Sequence, residues 1–237
     1  MKTKVILALD VNSSEEAYSL IDELSDYVDC FKVGSILYAE CGNTIVEYIR
    51  KKNKMVFLDL KFFDIPNTVK GVSYVATKTG VDMFTIHLLG GSEMVKASLD
   101  GVCEAIEDFK LNKTPIILGV TILTSLNEDI LRNELKVDTS LKSFVLHLAR
   151  VGYEAGLRGF VCSPQEVRLL KKNLSEDIIV VTPGVRISND WNDQKRVMTP
   201  KMASEEGADY IVVGRSVLNQ NDKIDILKKI REEIESF

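Results

Sequence analysis

Two kinds of apolar pattern alternate along this chain. Short runs rich in β-branched residues recur at 5–9, 31–33, 55–58, 83–86, 116–120, 159–161, 178–181 and 210–213. Between them, residues 14–24, 44–50, 69–79, 94–109, 141–155 and 224–234 repeat their apolar positions at helical spacing. Ser13-Ser14-Glu15-Glu16 and Thr199-Pro200 read as helix starts, with a hydroxyl to cap the first turn and acid or proline just inside it. Nearly continuous apolar strands, each followed by a helix, predict a parallel sheet covered on its outer face. Eight such units predict an α/β fold of the closed (β/α)8 TIM barrel type, spanning residues 1–237 as a single domain. An open doubly wound sheet is the alternative. It would want fewer strands and often a glycine-rich first turn, where Asp10-Val11-Asn12-Ser13 stands here. The longest irregular stretches, 124–139 and 184–198, are candidates for functional loops.

Composition narrows the partners. A net charge of -5 is spread without a basic run, so neither nucleic acid nor an acidic membrane surface is an expected ligand. Cys30, Cys41, Cys103 and Cys162 lie far apart, which predicts reduced thiols and a cytoplasmic protein. The apolar run near the N-terminus meets Asp10 without a cleavage site, so no signal peptide is expected. No apolar stretch nears the roughly 18 residues of a membrane span.

In such barrels the chemistry sits at the C-terminal ends of the strands. Reading those ends in order gives Asp10, Lys32, Asp59 with Lys61, His87, Thr121 leading to Thr124-Ser125, Cys162-Ser163, Arg186 and Gly214-Arg215. Strand alternation predicts that Asp59 and Lys61 face the barrel axis together while Leu60 faces the helices. One charge at a strand end is usually a solvated rim residue. Four that alternate in sign, among residues that must be buried, point to a network kept for function, because burying charge is costly. Arg186 and Gln194 after strand seven, with Gly214 and Arg215 after strand eight, occupy the usual phosphate corner of these barrels. With two histidines in the chain, His147 inside a helix and His87 expected as a hydrogen-bonded rim residue, the sequence speaks against a histidine metal site. Cys162 has no evident partner base and is expected to be inert.

The pieces LALD (7–10), FKVG (31–34), DLKFFDIPNTV (59–69), GVTILTS (119–125), VCSPQE (161–166), VTPGVR (181–186), DQKRVMTP (193–200) and GADYIVVGR (207–215) occur in the order found in one family. Over almost its whole length the sequence resembles the orotidine 5'-phosphate decarboxylase family. That resemblance implies a cofactor-independent, metal-free homodimer of barrels that converts orotidine 5'-phosphate to UMP and CO2, the last step of de novo UMP synthesis. It implies that Asp10 and Lys32 contact the ribose. Lys32, Asp59 and Lys61 form a charged array, with Lys61 as proton donor and Asp64 of the partner subunit completing it. Ile65 and Thr68 of the partner subunit also reach across, Thr124 and Ser125 lie near the pyrimidine, and Arg186, Gln194, Gly214 and Arg215 hold the phosphate. Two positions depart from the family's habit: Ile187 where proline is common, and Leu88 where a small residue is common. A metal-dependent hexulose-phosphate synthase or keto-gulonate-phosphate decarboxylase shares the DxKxxD core but continues it with small residues, where Ile65-Pro66-Asn67-Thr68 stands here. A non-catalytic nucleotide-binding barrel has no need of alternating buried charge.

Overall fold

All eight apolar runs form strands, each paired in parallel with its neighbour in chain order until the eighth returns to the first and closes the barrel. The structure is a computed structural model and describes residues 2–186 and 198–236. The first half runs β1 (Lys4–Ala8), α1 (Ser14–Leu24), β2 (Cys30–Gly34), α2 (Ser35–Cys41), α3 (Asn43–Lys51), β3 (Met55–Phe62), α4 (Pro66–Lys78) and β4 (Met83–His87). The second half runs α5 (Gly91–Phe109), β5 (Ile116–Val120), α6 (Leu141–Glu154), β6 (Gly159–Val161), α7 (Val167–Asn173), β7 (Ile179–Pro183), α8 (Pro200–Glu205), β8 (Tyr210–Val213), α9 (Arg215–Leu218) and α10 (Lys223–Glu235). Ser13 and Thr199 cap α1 and α8 as predicted, accepting from the N–H groups of Glu16 and Met202. Three short helices, α2, α7 and α9, were not predicted: two turns or less of apolar spacing cannot be told from chance. Among the described residues no helix is long and apolar enough to cross a membrane.

Strand alternation sorts the core into two layers. Ile6, Cys30, Phe57, Met83, Leu118, Val181 and Tyr210 fill the barrel interior. Their neighbours Val5, Leu7, Phe31, Val56, Phe84, Ile117, Val180 and Ile211 pack outward under the helices. The interior is therefore solid apolar packing below the C-terminal mouth, a low-dielectric floor for whatever charge the mouth holds.

The opposite end is locked by a repeated device. Asp29, Asp82 and Asp209 each stand one residue before a strand, β2, β4 and β8. Their backbone N–H groups donate to the carbonyls of Val5, Val56 and Val180 at 3.0, 2.9 and 3.0 Å. Their carboxylates accept from the N–H groups of the same three valines at 2.8, 2.7 and 2.8 Å. Each aspartate thus satisfies a strand-start N–H that no ladder partner reaches, and clips two strands together. Asp82→Ala leaves the Val56 N–H unpaired and is expected to lower stability by about 1–3 kcal/mol, read as a shift of the urea unfolding midpoint; an unchanged midpoint would show that the clip carries nothing.

Candidate active site

Four charges stand in a row across the barrel mouth. Lys32 on β2 places its Nζ 3.0 Å from Asp10 Oδ1, just past β1, and 3.7 Å from Asp59 Oδ2 on β3. Lys61 Nζ donates to both Asp59 oxygens, at 2.9 and 3.0 Å. The order is Asp10, Lys32, Asp59, Lys61, alternating in sign as the sequence suggested. Lys32 and Asp59 are the buried centre, with side chains 11% and 13% exposed, while Asp10 at 51% and Lys61 at 37% open toward solvent. Asp59, shared between two ammonium groups, is the member on which the row depends.

The route by which Asp59 and Lys61 meet corrects the simple alternation argument. β3 does not run smoothly past β4: Leu58 pairs with Phe84 and Phe62 with Ile86, four residues of advance on one strand against two on the other. Within this bulge Lys61 takes a φ of 48°, the left-handed region that a residue with a Cβ seldom occupies. Leu60 packs against the outer core as expected, but Lys61 is folded back over Asp59 by the bulge and not by strand pleat. The Thr85 hydroxyl on β4 fills the gap, accepting from the Lys61 backbone N–H at 2.8 Å and donating to Asp59 Oδ1 at 3.0 Å. Thr85 was missed in the sequence. Its one signal was a single hydroxyl in the inward register of the run MFTIH.

Beside the row lies a cavity of about 290 Å³. Lys32, Asp59 and Lys61 form its charged wall, Thr124 and Ser125 its rim after β5, and Phe57, Val120, Val161, Val181 and Val212 its apolar floor. A small planar group with one ionic edge fits such a chamber. Cys162 also lines it, but burial, seconded by the Glu166 carboxylate, pushes its thiol pKa well up, as suits an inert residue. Toward the expected phosphate corner, Gly214 stands beside Asp10, since a Cβ on it would lie 3.5 Å from Asp10 Oδ2. Arg215 is exposed at the start of α9, and Arg186 is half-buried, with its backbone N–H donating to the Met198 carbonyl at 3.1 Å. Gln194 and Ile187 lie outside the described residues. Among the described residues no group of three His, Cys, Asp or Glu is placed to hold a metal ion.

Asp64, Ile65 and Thr68 are not part of the chamber of their own chain. All three are exposed on the turn into α4, where Asp64 Oδ1 accepts from the Ile65 N–H at 2.6 Å. Ile65 and its neighbour Phe63 are 67% and 59% exposed. Of the two histidines, His147 is exposed on α6 and stacks on Phe144. Leu88, the departure after His87, is completely buried, and its side chain occupies the space where a Cβ on Gly119 or Gly152 would stand, 2.8 and 2.9 Å away. Two glycines facing it thus accommodate the larger side chain.

His87 ends β4 buried at 7% exposure, with its Nδ1 accepting from the Leu89 N–H at 3.4 Å and its ring 5.6 Å from that of Phe63. Burial first, and then the Lys61 ammonium, lower its pKa below the ordinary 6.5. Its folded form therefore resists a proton that the unfolded chain accepts. The contribution to stability is complete above pH 6.5 and is lost as pH falls below that value toward the folded pKa. Urea midpoints measured from pH 7.5 down to 5 are expected to fall more steeply for the wild type than for His87→Gln; equal slopes would remove His87 from the account.

The profile described as the orotidine 5'-phosphate decarboxylase / HUMPS family matches residues 3–230. A protein named orotidine 5'-phosphate decarboxylase from Dictyoglomus thermophilum is 41% identical over 236 residues, covering 98% of this chain and 96% of that one. Another of that name from Moorella thermoacetica is 40% identical, covering 99% and 93%. The crystal structure of orotidine 5'-phosphate decarboxylase from Lactobacillus acidophilus superimposes with a TM-score of 0.84 at 35% identity over 99% of each chain. With all eight strands and the whole charged row inside the matched region, this chain belongs to the orotidine 5'-phosphate decarboxylase / HUMPS family.

Proposed function

We propose that this chain decarboxylates orotidine 5'-phosphate to UMP and CO2, the last step of de novo UMP synthesis, with no metal or organic cofactor. The observation that carries the reading is a single ammonium, Lys61, held by both oxygens of one carboxylate at the wall of a chamber of about 290 Å³. When the bond from C6 of the pyrimidine to the carboxylate breaks, its electron pair stays in the ring plane, where the π system cannot take it up. Stabilisation must then come from fixed charge nearby. The Lys61 ammonium supplies that charge and delivers the proton that forms the new C6–H bond, recovering one afterwards from solvent. Asp59 orients Lys61 and stands near the departing carboxylate.

The ribose falls to Asp10 and Lys32, the pyrimidine edge to Thr124 and Ser125, and the phosphate to Arg186, Gln194, Gly214 and Arg215. Phosphate binding far from the reacting carbon can be used to assemble the site around the transition state. The exposed Asp64, flanked by exposed Phe63 and Ile65, supports a homodimer in which this turn enters the chamber of the second copy. Asp64, Ile65 and Thr68 of the partner subunit would then complete each site, with Asp64 joining Asp59 on Lys61. The unbridged cysteines are consistent with a cytoplasmic location, and the chain acts as one catalytic domain.

Conversion of orotidine 5'-phosphate, followed by ultraviolet absorbance in excess chelator, tests this directly. The wild type is expected to form UMP and Lys61→Ala to be slowed by at least about a thousandfold, since it loses both the fixed charge and the acid. No conversion, together with turnover of a sugar phosphate once magnesium is restored, would move the chain to the metal-dependent side of its family.

A further inference from the structure

One hydroxyl behind the charged row touches both halves of the Asp59–Lys61 pair. Thr85 is 0% exposed, and its hydroxyl works in both directions: it accepts from the Lys61 backbone N–H at 2.8 Å and donates to Asp59 Oδ1 at 3.0 Å. The same Asp59 oxygen receives the Lys61 ammonium at 2.9 Å. A closed loop results, from the Lys61 backbone through Thr85 and Asp59 to the tip of the Lys61 side chain.

Lys61 needs this support. The register between β3 and β4 is broken from Leu58 to Phe62, and within that break its N–H is met by the Thr85 hydroxyl. Its φ of 48° is unfavourable for a residue with a Cβ and persists only where the surroundings over-determine it. A hydroxyl suits the position because it accepts from the backbone and donates to the carboxylate at once. Valine, of the same shape, does neither.

The geometry points to Thr85 as a positioning residue for the reaction, one that holds the left-handed Lys61 backbone and the Asp59 carboxylate in fixed relation. The inference rests on the reading of Lys61 as proton donor. Thr85 lies behind the row, and neither the ribose contacts nor the phosphate corner involves it. Its loss therefore acts on the chemical step and spares substrate binding.

Steady-state kinetics of Thr85→Val and Thr85→Ser on orotidine 5'-phosphate test the inference, at a temperature where thermal melts show both variants folded. Thr85→Val is expected to lose about 10–100-fold in kcat with KM little changed, because the change misplaces the reacting ammonium and removes no substrate contact. Thr85→Ser, which keeps the hydroxyl, is expected to recover most of that loss. Wild-type kcat in Thr85→Val, or an equal loss in Thr85→Ser, would overturn the role. Should the valine variant not fold, Thr85→Cys takes its place, near in size with only a weak donor. An intermediate kcat then supports the role, and an unchanged one overturns it. Lys61→Ala run in parallel separates the two levels. Activity surviving that change contradicts the reading of the site itself. Activity lost there but retained in Thr85→Val contradicts only the part given to Thr85.

Discussion

The two hydrogen bonds from Lys61 to Asp59 are the interaction on which the rest of the site depends. Asp59 is nearly buried and answers to two lysines, so the row is balanced only while it is ionised and in place. Charges this deep do not make a barrel more stable than well-packed apolar residues would. Deleting one member of a buried pair commonly costs about 3–5 kcal/mol, whereas replacing the whole set by apolar residues is often neutral or favourable. The row is therefore best understood as something the fold supports for the sake of chemistry. A fixed ammonium at the wall of a largely apolar chamber is worth far more to a developing negative charge than the same group in water.

The support comes from the rest of the architecture. Phe57, Leu118, Val181 and their neighbours fill the interior below the mouth, so the charged layer rests on a floor that side chains cannot sink into. At the far end the Asp29, Asp82 and Asp209 clips fix the strands in register. Register errors at the bottom would propagate to the mouth, because strand position there decides which residues face inward. Among the described strand pairings the register shift between β3 and β4 is the departure from this regular frame, and it is where Lys61 stands. A left-handed backbone and the proposed proton donor coincide at one residue, and the Thr85 hydroxyl bonds both to its N–H and to the carboxylate that holds its ammonium.

Much of this was legible in the chain. Eight β-branched runs with intervening helical spacing specify a closed parallel barrel, and the convention that chemistry sits at strand ends picks out Asp10, Lys32, Asp59 and Lys61. The bulge was not legible. Alternation predicts the right pair of residues on the right side for an incomplete reason, since nothing in DLKFF reveals a left-handed Lys61. Thr85 stayed hidden because a threonine in a strand is ordinary and its two partners are 24 and 26 residues away. α2, α7 and α9 escaped because their apolar spacing is too brief to register. Leu88, a departure from the family's habit, packs against Gly119 and Gly152, a contact between residues far apart in the chain that only three dimensions display.

Asp64 is the member of the motif that its own chain leaves outside the chamber, and the proposed second copy is what gives it a place. Co-expression of Asp64→Ala and Lys61→Ala chains measures this most directly. Each variant alone is expected to be nearly inactive. In a mixed dimer one site inherits both defects and the other neither, so random pairing of equal amounts should restore about a quarter of wild-type activity. A mixture as inactive as its parents, in protein shown to contain mixed dimers, would mean that each chain works with its own residues alone and that the shared site is wrong.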